Sequence, residues 1–333
     1  MTDGYIQSFT VAGFIQTTHY IGTGGTGAYV WKAFNILTGS QLALKTKPIP
    51  ASTGDPPAGL VHEAGIYQLL RGAREGFPTI HWSGVDGNRF VLAMDLLGPN
   101  LQSLQRLCRG SFSVRTICML AEQMLARIQF IHSRGIISGD IKPHNFALGS
   151  YDKTRTLHLF DFSHAQLFIN PSTGEHIPFS TTRITTGTIR YASVAAHKGH
   201  EVSRRDDIES LLYTLLELYH GRLPWHNLSK RRDGLFDDHI AGMKEGTEFR
   251  DFLSRSLPEF QSFHAHCMSL SYGQTPDYAL LRGLFRERMW KEGWQYDWIF
   301  DWENGSSTEK GTLVPDDYVF DLRFVERRAL YPS

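Results

Sequence analysis

Apolar positions along this chain follow two periods. From Val114 to His132 they fall at 114, 117, 118, 121, 125, 128 and 131, the spacing of one face of an amphipathic helix. Ile208, Leu211, Leu212, Leu215, Leu216 and Tyr219 form a second helical stripe, which starts at Asp207. A shorter stripe runs from Leu60 to Leu70, with 66, 69 and 70 on one face. Two runs lack this period. Tyr29-Val30-Trp31 opens a strand-like stretch, and Arg89-Phe90-Val91-Leu92-Ala93-Met94 reads as a buried strand. Pro50 to Pro57, with Gly54 and Asp55, is a polar loop. Beyond Trp302, Glu303 to Gly311 has loop composition, and Tyr318 to Val325 alternates apolar and polar residues like an extended segment that packs back on the domain.

Composition narrows the class. With 333 residues, 41% of them hydrophobic, the chain can bury a substantial core as one large domain or two smaller units. Its formal net charge is zero, so no global field recruits nucleic acid or a membrane surface. Cys108, Cys118 and Cys267 are odd in number and unclustered, which fits a reducing compartment. The start lacks a secretory pattern, and no stretch reaches the roughly 18 apolar residues of a membrane span. A cytoplasmic or nuclear monomer is expected. His264-Ala265-His266-Cys267 looks like a metal site, but no second Cys/His pair lies at zinc spacing, so packing is the reading adopted.

The candidate chemistry lies in Ser138-Gly139-Asp140-Ile141-Lys142-Pro143-His144-Asn145, followed sixteen residues after Asn145 by Asp161-Phe162-Ser163. Phosphoryl transfer spreads negative charge over equatorial oxygens, so a site must supply cations and hold the attacking hydroxyl in line. Asp140 is suited to receive or orient the hydroxyl proton, and Lys142 to neutralise charge beside it. Asn145 and Asp161 are hard oxygen donors, which Mg²⁺ takes in ones and twos. This spacing is the one protein kinases use to transfer phosphate from Mg-ATP to a hydroxyl. Alone, it also fits a polar turn, because Asp, Pro and Asn are common turn formers.

Upstream residues favour the first reading. Gly22-Thr23-Gly24-Gly25-Thr26-Gly27 reads G-x-G-x-x-G, and Lys45 follows Gly27 by eighteen residues. Such glycines leave N–H groups open to phosphates, while the lysine holds the α- and β-phosphates. A Walker loop would need Gly-Lys-Ser/Thr, but Ala28-Tyr29 follows Gly27; a dinucleotide fold would need a helix where Tyr29-Val30-Trp31 favours a strand. Glu63 is either the ion-pair partner of Lys45 or a solvated helix charge. The order of lysine, loop and helix favours the pair.

Thr186-Gly187-Thr188-Ile189-Arg190-Tyr191-Ala192-Ser193, Ser203-Arg204-Arg205-Asp206-Asp207-Ile208-Glu209, Leu223-Pro224-Trp225 and Leu96-Leu97-Gly98-Pro99-Asn100-Leu101 resemble the casein kinase 1 family. So do Pro276-Asp277-Tyr278 and Tyr296-Asp297-Trp298-Ile299-Phe300-Asp301-Trp302, and the resemblance runs from about residue 14 to 303. It implies an α+β, bilobal protein kinase fold: a β-rich N-lobe over 1–97, a mainly helical C-lobe over 98–303 and a short extension over 304–333. ATP would be held by Gly22, Gly24, Gly27, Val30, Ala43, Lys45, Met94, Asp95 and Leu97, and Mg²⁺ by Asn145 and Asp161. Asp140, Lys142, Lys45 and Glu63 would carry catalysis, and Asp207 resembles an anchor for the catalytic-loop backbone, a role compatible with helix capping.

The resemblance further implies Ser/Thr hydroxyls in protein substrates, preceded by acidic or phosphorylated residues. Arg190 matches the family's arginine in Thr-Gly-Thr-x-Arg-Tyr, and Arg183 stands where the family has a lysine; both could grip an anion with a planar fork. The family's lysine after Pro-Trp has no counterpart, since an ungapped match lands on Phe236. Lys230-Arg231-Arg232 either substitutes for it or is a solvated basic turn.

Departures from the usual kinase pattern qualify this picture. Ser193-Val194-Ala195 stands where other kinase groups carry Ala-Pro-Glu and this family a Ser-Ile-Asn-like stretch. Ser138-Gly139 replaces His-Arg, so the clamp for a phosphorylated activation loop is missing, and packing volume beneath Phe162 must be refilled by a neighbour or left as a cavity. Ser163 replaces glycine, and serine reaches glycine's backbone angles only with strain, so flipping of Asp161 should be less accessible. These changes leave a nucleotide-binding pseudokinase as the rival reading. A small-molecule kinase is disfavoured by the Thr185 to Ser193 segment. The hydroxyls Ser180, Thr181, Thr182, Thr185, Thr186 and Thr188 are either autophosphorylation sites or an exposed polar turn.

Overall fold

The computed structural model describes residues 8–24, 27–181, 187–227 and 236–304. Its first part is a six-stranded antiparallel sheet: β1 (Thr10–Val11), β2 (Ile15–Thr23), β3 (Tyr29–Asn35), β4 (Gln41–Pro48), β5 (Ile80–Asp86) and β6 (Arg89–Asp95), in spatial order β1-β2-β3-β4-β6-β5. Successive side chains of a strand face opposite sides. On β4, Leu42 and Leu44 therefore join Val11, Ile15, Trp31, Ala33, Val91 and Ala93 in an apolar layer on one face. Ala43 and Lys45 face the other side, where α1 (Ala58–Leu69) packs.

The buried face of α1 differs from the expected one. Leu60, Glu63, Ala64, Ile66 and Tyr67 are buried, whereas Leu69 is 46% exposed. The spacing 60, 63, 64, 67 is a helical stripe that contains a carboxylate. Hydrophobicity alone could not select it, because Glu63 is drawn inward by Lys45 rather than by transfer from water.

The second part is mainly helical: α2 (Leu101–Leu107), α3 (Val114–Ser133), α4 (Val194–His197), α5 (Arg204–His220), α6 (Phe236–Glu245), α7 (Thr247–Ser254), α8 (Pro258–Ser269), α9 (Tyr278–Lys291) and α10 (Asp301–Asn304). Two short antiparallel pairs cross its upper surface, β7 (Ile136–Ile137) with β10 (Gln166–Leu167), and β8 (Phe146–Leu148) with β9 (Leu157–Leu159). The α3 stripe is the core of this part, and its residues 117, 118, 121, 125, 128 and 131 are wholly buried. Ser113 caps α3 by accepting from Thr116 N, and its own N and Oγ donate to Asp301 at 2.6 and 2.7 Å, tying α10 to the start of α3. The α5 helix begins at Arg204, three residues before the expected start, because Ser203 and Asp206 form a capping box. It ends at Gly221, whose φ of 86° suits a glycine C-cap.

A β-rich first part and a helical second part make the two-lobed α+β arrangement that was expected. His264 packs on the Phe249 ring, His266 Nε2 accepts from Asp277 N, and Cys267 is buried. Among the described residues no group of three or more His, Cys, Asp or Glu could hold a metal, and no helix is long and apolar enough to cross a membrane. The alternating run 318–325 lies outside the described residues.

Position on one helix decides the cost of losing an aromatic ring. Phe285 is fully buried, while Trp290, also on α9, is 79% exposed. Phe285→Ala should cost about 3–5 kcal/mol and Trp290→Ala under about 0.5 kcal/mol. Denaturant melts would measure both, and equal losses would contradict the packing described.

Candidate active site

The site begins with a buried carboxylate. Asp207, in the first turn of α5, accepts from Ser138 N at 2.8 Å and Gly139 N at 2.9 Å, and meets His132 Nε2 at 3.0 Å. His132 Nδ1 in turn faces Tyr278 Oη at 2.6 Å. Capping of α5 falls to Ser203 and Asp206, so Asp207 is left to anchor the loop after β7. Three helices thereby fix where Asp140 stands.

Asp140 is 5% exposed and held from several sides. Its Oδ1 accepts from Thr188 N at 2.8 Å, and its Oδ2 lies 2.8 Å from Lys142 Nζ. Lys142 also donates to Thr188 Oγ1 at 2.8 Å, while Asn145 Nδ2 donates to the Asp140 carbonyl at 2.9 Å. Two glycines make this approach possible. Gly187 has φ +79°, and a Cβ there would sit 2.2 Å from the Gly139 carbonyl oxygen; at Gly139, φ +68°, a Cβ would sit 2.9 Å from His164 O. Positive φ and close backbone contact both select glycine.

Opposite this loop, a cleft is lined by Gly24, Val30, Ala43, Lys45, Glu63, Tyr67, Met94, Phe160 and Asp161. Lys45 Nζ donates to Glu63 Oε1 and Oε2 at 3.0 and 2.8 Å and to Asp161 Oδ1 at 2.8 Å. One ammonium thus serves two carboxylates. Burial works against the charge on Lys45, but Asp161 and Glu63 together hold its pKa above the usual lysine value. Asp161 stays well below the carboxylate range, since Lys45 and then Lys142 outweigh its burial. Glu63, the deeper acid, is pushed up to about 7 by burial against the pull of Lys45, with the charge of Asp161 adding to the rise.

A family model, the protein kinase domain, matches residues 15–273. The chain belongs to the protein kinase family. This supports kinase-type phosphotransfer with ATP and Mg²⁺, and the kinase's residues can be placed accordingly. Of the expected nucleotide-binding residues, Gly24, Val30, Ala43, Lys45 and Met94 line the cleft. Gly22 pairs with Val30 in the sheet, and Gly27 turns the chain at φ +77°. The expectation of open glycine N–H groups needs correction: Gly24 N donates to Ala28 O and Gly27 N to Gly24 O, closing the turn itself. Gly25 and Thr26 lie outside the described residues. The Asp95 side chain points away, toward Thr79 N at 2.9 Å and His81 Nε2 at 2.7 Å, while Leu97 packs beside Phe160 and Ala147.

Asn145 and Asp161 fit the Mg²⁺ expected of a kinase. The Asn145 amide nitrogen is engaged by Asp140, which leaves its carbonyl oxygen as a donor, and Asp161 is an ionised carboxylate. One amide oxygen and one carboxylate form the sparse, hard set that Mg²⁺ accepts. Sequence reasoning missed Tyr67, whose hydroxyl accepts from Asp161 N at 3.2 Å and whose ring meets Phe162 edge-on at 5.1 Å. It also missed Phe160. The helical stripe 60, 63, 64, 67 carried the signal for Tyr67.

The departures in this kinase have local answers. The fully buried Phe162 packs against the Tyr67 and Phe77 rings, and Ser138 is itself buried. The left-handed residue of this turn is Asp161 at φ 63°, and Ser163 is not left-handed. Serine instead withholds the extra freedom that glycine would give. His144 is pushed down to about 4 by burial and then by Lys142, Arg106 and Arg190, so it stands neutral beside Asp140. Arg190 is partly exposed and lies 3.4 Å from Glu217. Arg183, Lys230, Arg231 and Arg232 lie outside the described residues, as do Thr182, Thr185, Thr186 and the side chain of Phe236. Ser180 bonds Glu201, and Thr188 is occupied by Lys142.

Two measurements test this geometry. An asparagine at 207 can accept through one oxygen only and turns an NH₂ group toward a backbone N–H. Asp207→Asn should therefore cost about 2–3 kcal/mol and lower kcat roughly 10- to 100-fold through misplacement of Asp140, read by melts and turnover. Glu63 has its folded pKa raised from 4.5 to about 7, so its contribution to stability is full below its unfolded value and is lost as pH rises through 7. Between pH 4.5 and 8 the stability gap should move by about 2–3 kcal/mol in favour of Glu63→Gln. A gap that does not change with pH would contradict the assignment.

Proposed function

We propose that this protein kinase is casein kinase 1-like and transfers the ATP γ-phosphate to Ser and Thr hydroxyls of proteins. We further propose that it favours acidic or pre-phosphorylated sites and needs no activation-loop phosphate. The observation that carries this reading is the seating of Asp140, with Thr188 N on one oxygen and Lys142 on the other. Gly139 offers no cationic side chain to a phosphorylated loop, and the Gly139–Gly187 backbone contact already holds the segment in place.

In this mechanism Asp140 orients the attacking hydroxyl and receives its proton, and Lys142 balances charge on the same side. Lys45 holds the nucleotide phosphates, and Glu63 aims Lys45. Mg²⁺ on Asn145 and Asp161 would neutralise charge developing on the phosphate oxygens. Arg190 supports the acidic preference as a partly exposed guanidinium near the segment that follows Thr188. Three unpaired cysteines support a reducing compartment, cytoplasm or nucleus, and a monomer is the proposed working state.

Radiolabelled transfer from Mg-ATP to casein and to acidic or pre-phosphorylated peptides, followed by phosphoamino-acid analysis, tests the proposal. Label should appear on Ser and Thr, and Asp140→Asn should lose about 10²- to 10⁴-fold in kcat. Nucleotide binding without transfer would instead establish a pseudokinase, and label on Tyr would overturn the Ser/Thr assignment.

A further inference from the structure

Lys244, on α6, is 3% exposed and takes no part in the chemistry described above. Its Nζ lies 2.5 Å from Ala192 O, 3.4 Å from Ile189 O and 3.1 Å from His197 Nε2. An ammonium has three donors, so three acceptors match it. The same Nζ stands 4.6 Å from the Tyr213 ring and 5.0 Å from the Trp225 ring, which favours the cation further. Burial and then Lys244 push His197 down to about 3, leaving that imidazole neutral.

These contacts converge on one short segment. Trp225 Nε1 donates to the Arg190 carbonyl at 2.8 Å. Carbonyls of Ile189, Arg190 and Ala192 are therefore all drawn inward by two side chains. Adjacent residues are held too, since Val194 N donates to Glu209 at 2.9 Å and Ser193 Oγ to Asp206 at 2.6 Å. With its carbonyl fixed inside, Arg190 keeps its guanidinium at the partly exposed edge beside Glu217. Burial pulls Lys244 down to about 7 against the charges of Glu209 and Asp237, yet its Nζ is held on carbonyls of a segment that includes no helix or strand.

We infer that Lys244, together with Trp225, is a positioning pair for residues 189–192, and that this hold sets the affinity for the protein substrate. The inference rests on the reading of the Arg190 segment as the peptide dock. It assigns no contact between Lys244 and either nucleotide or peptide.

The test uses the full chain, an acidic serine peptide rich in Glu, and ATP. Peptide binding by fluorescence anisotropy, nucleotide binding, and the KM for each in steady state are measured for Lys244→Met, Lys244→Arg and Trp225→Phe. Lys244→Met should weaken peptide binding about tenfold, the equivalent of one lost charged hydrogen bond. Nucleotide affinity should stay within about twofold, because the cleft contacts are untouched. Lys244→Arg should recover part of the loss, and Trp225→Phe should show a smaller peptide-selective loss. Amide exchange should quicken at 189–194 and not in α5. Equal losses for peptide and nucleotide, or unchanged peptide binding in these variants, would overturn the inference. If Lys244→Met does not fold, Trp225→Phe decides. A native chain that binds nucleotide but neither binds nor phosphorylates the peptide overturns the function reading and the inference together; native transfer with variant-insensitive peptide affinity overturns the inference alone.

Discussion

One buried ammonium links the two lobes. Lys45 comes from the sheet, Glu63 from the helix packed on it and Asp161 from the far lobe, and all three meet within hydrogen-bond distance. Buried ion pairs contribute little net stability compared with apolar packing, yet losing one partner costs about 3–5 kcal/mol because the remaining charge is stranded. The interaction therefore acts as a constraint on geometry. It ties α1 to the sheet beside Tyr67, whose hydroxyl accepts from Asp161 N, at the wall of the cleft.

A second constraint comes from the absence of side chains. Gly139 and Gly187 allow backbone to lie on backbone, and the Thr188 amide reaches Asp140 as a result. Behind it, Lys244 and Trp225 hold the next residues by their carbonyls. Residues 187–188 and 189–192 of one continuous segment are thus fixed by different means, close packing for the first and buried donors for the second.

Much of this was legible beforehand because the residues concerned answer to local rules. The α3 stripe, the buried β6 run and the spacing from Asp140 to Asn145 to Asp161 each follow from periodicity or from the demands of phosphoryl transfer. The errors share a cause. The pairing of Glu63 with Lys45 was expected, but an apolar count placed Leu69 on the buried face of α1 and missed Tyr67, which is buried there with Glu63. The left-handed angle of this turn falls on Asp161 at φ 63°, a choice among neighbouring residues that a sequence cannot make. Glycine amides thought open to phosphate close their own turn at Gly24 and Gly27.

Sequence alone determined the α+β class, the kinase family and the set of charged residues available for chemistry, because those depend on residue type and spacing along the chain. Tertiary structure decided which charges share a partner, which glycines are in contact and which face of each helix is buried. Those outcomes depend on groups far apart in sequence, such as Lys45 with Asp161 and Lys244 with Ala192, whose desolvation and pairing exist only once the chain has packed.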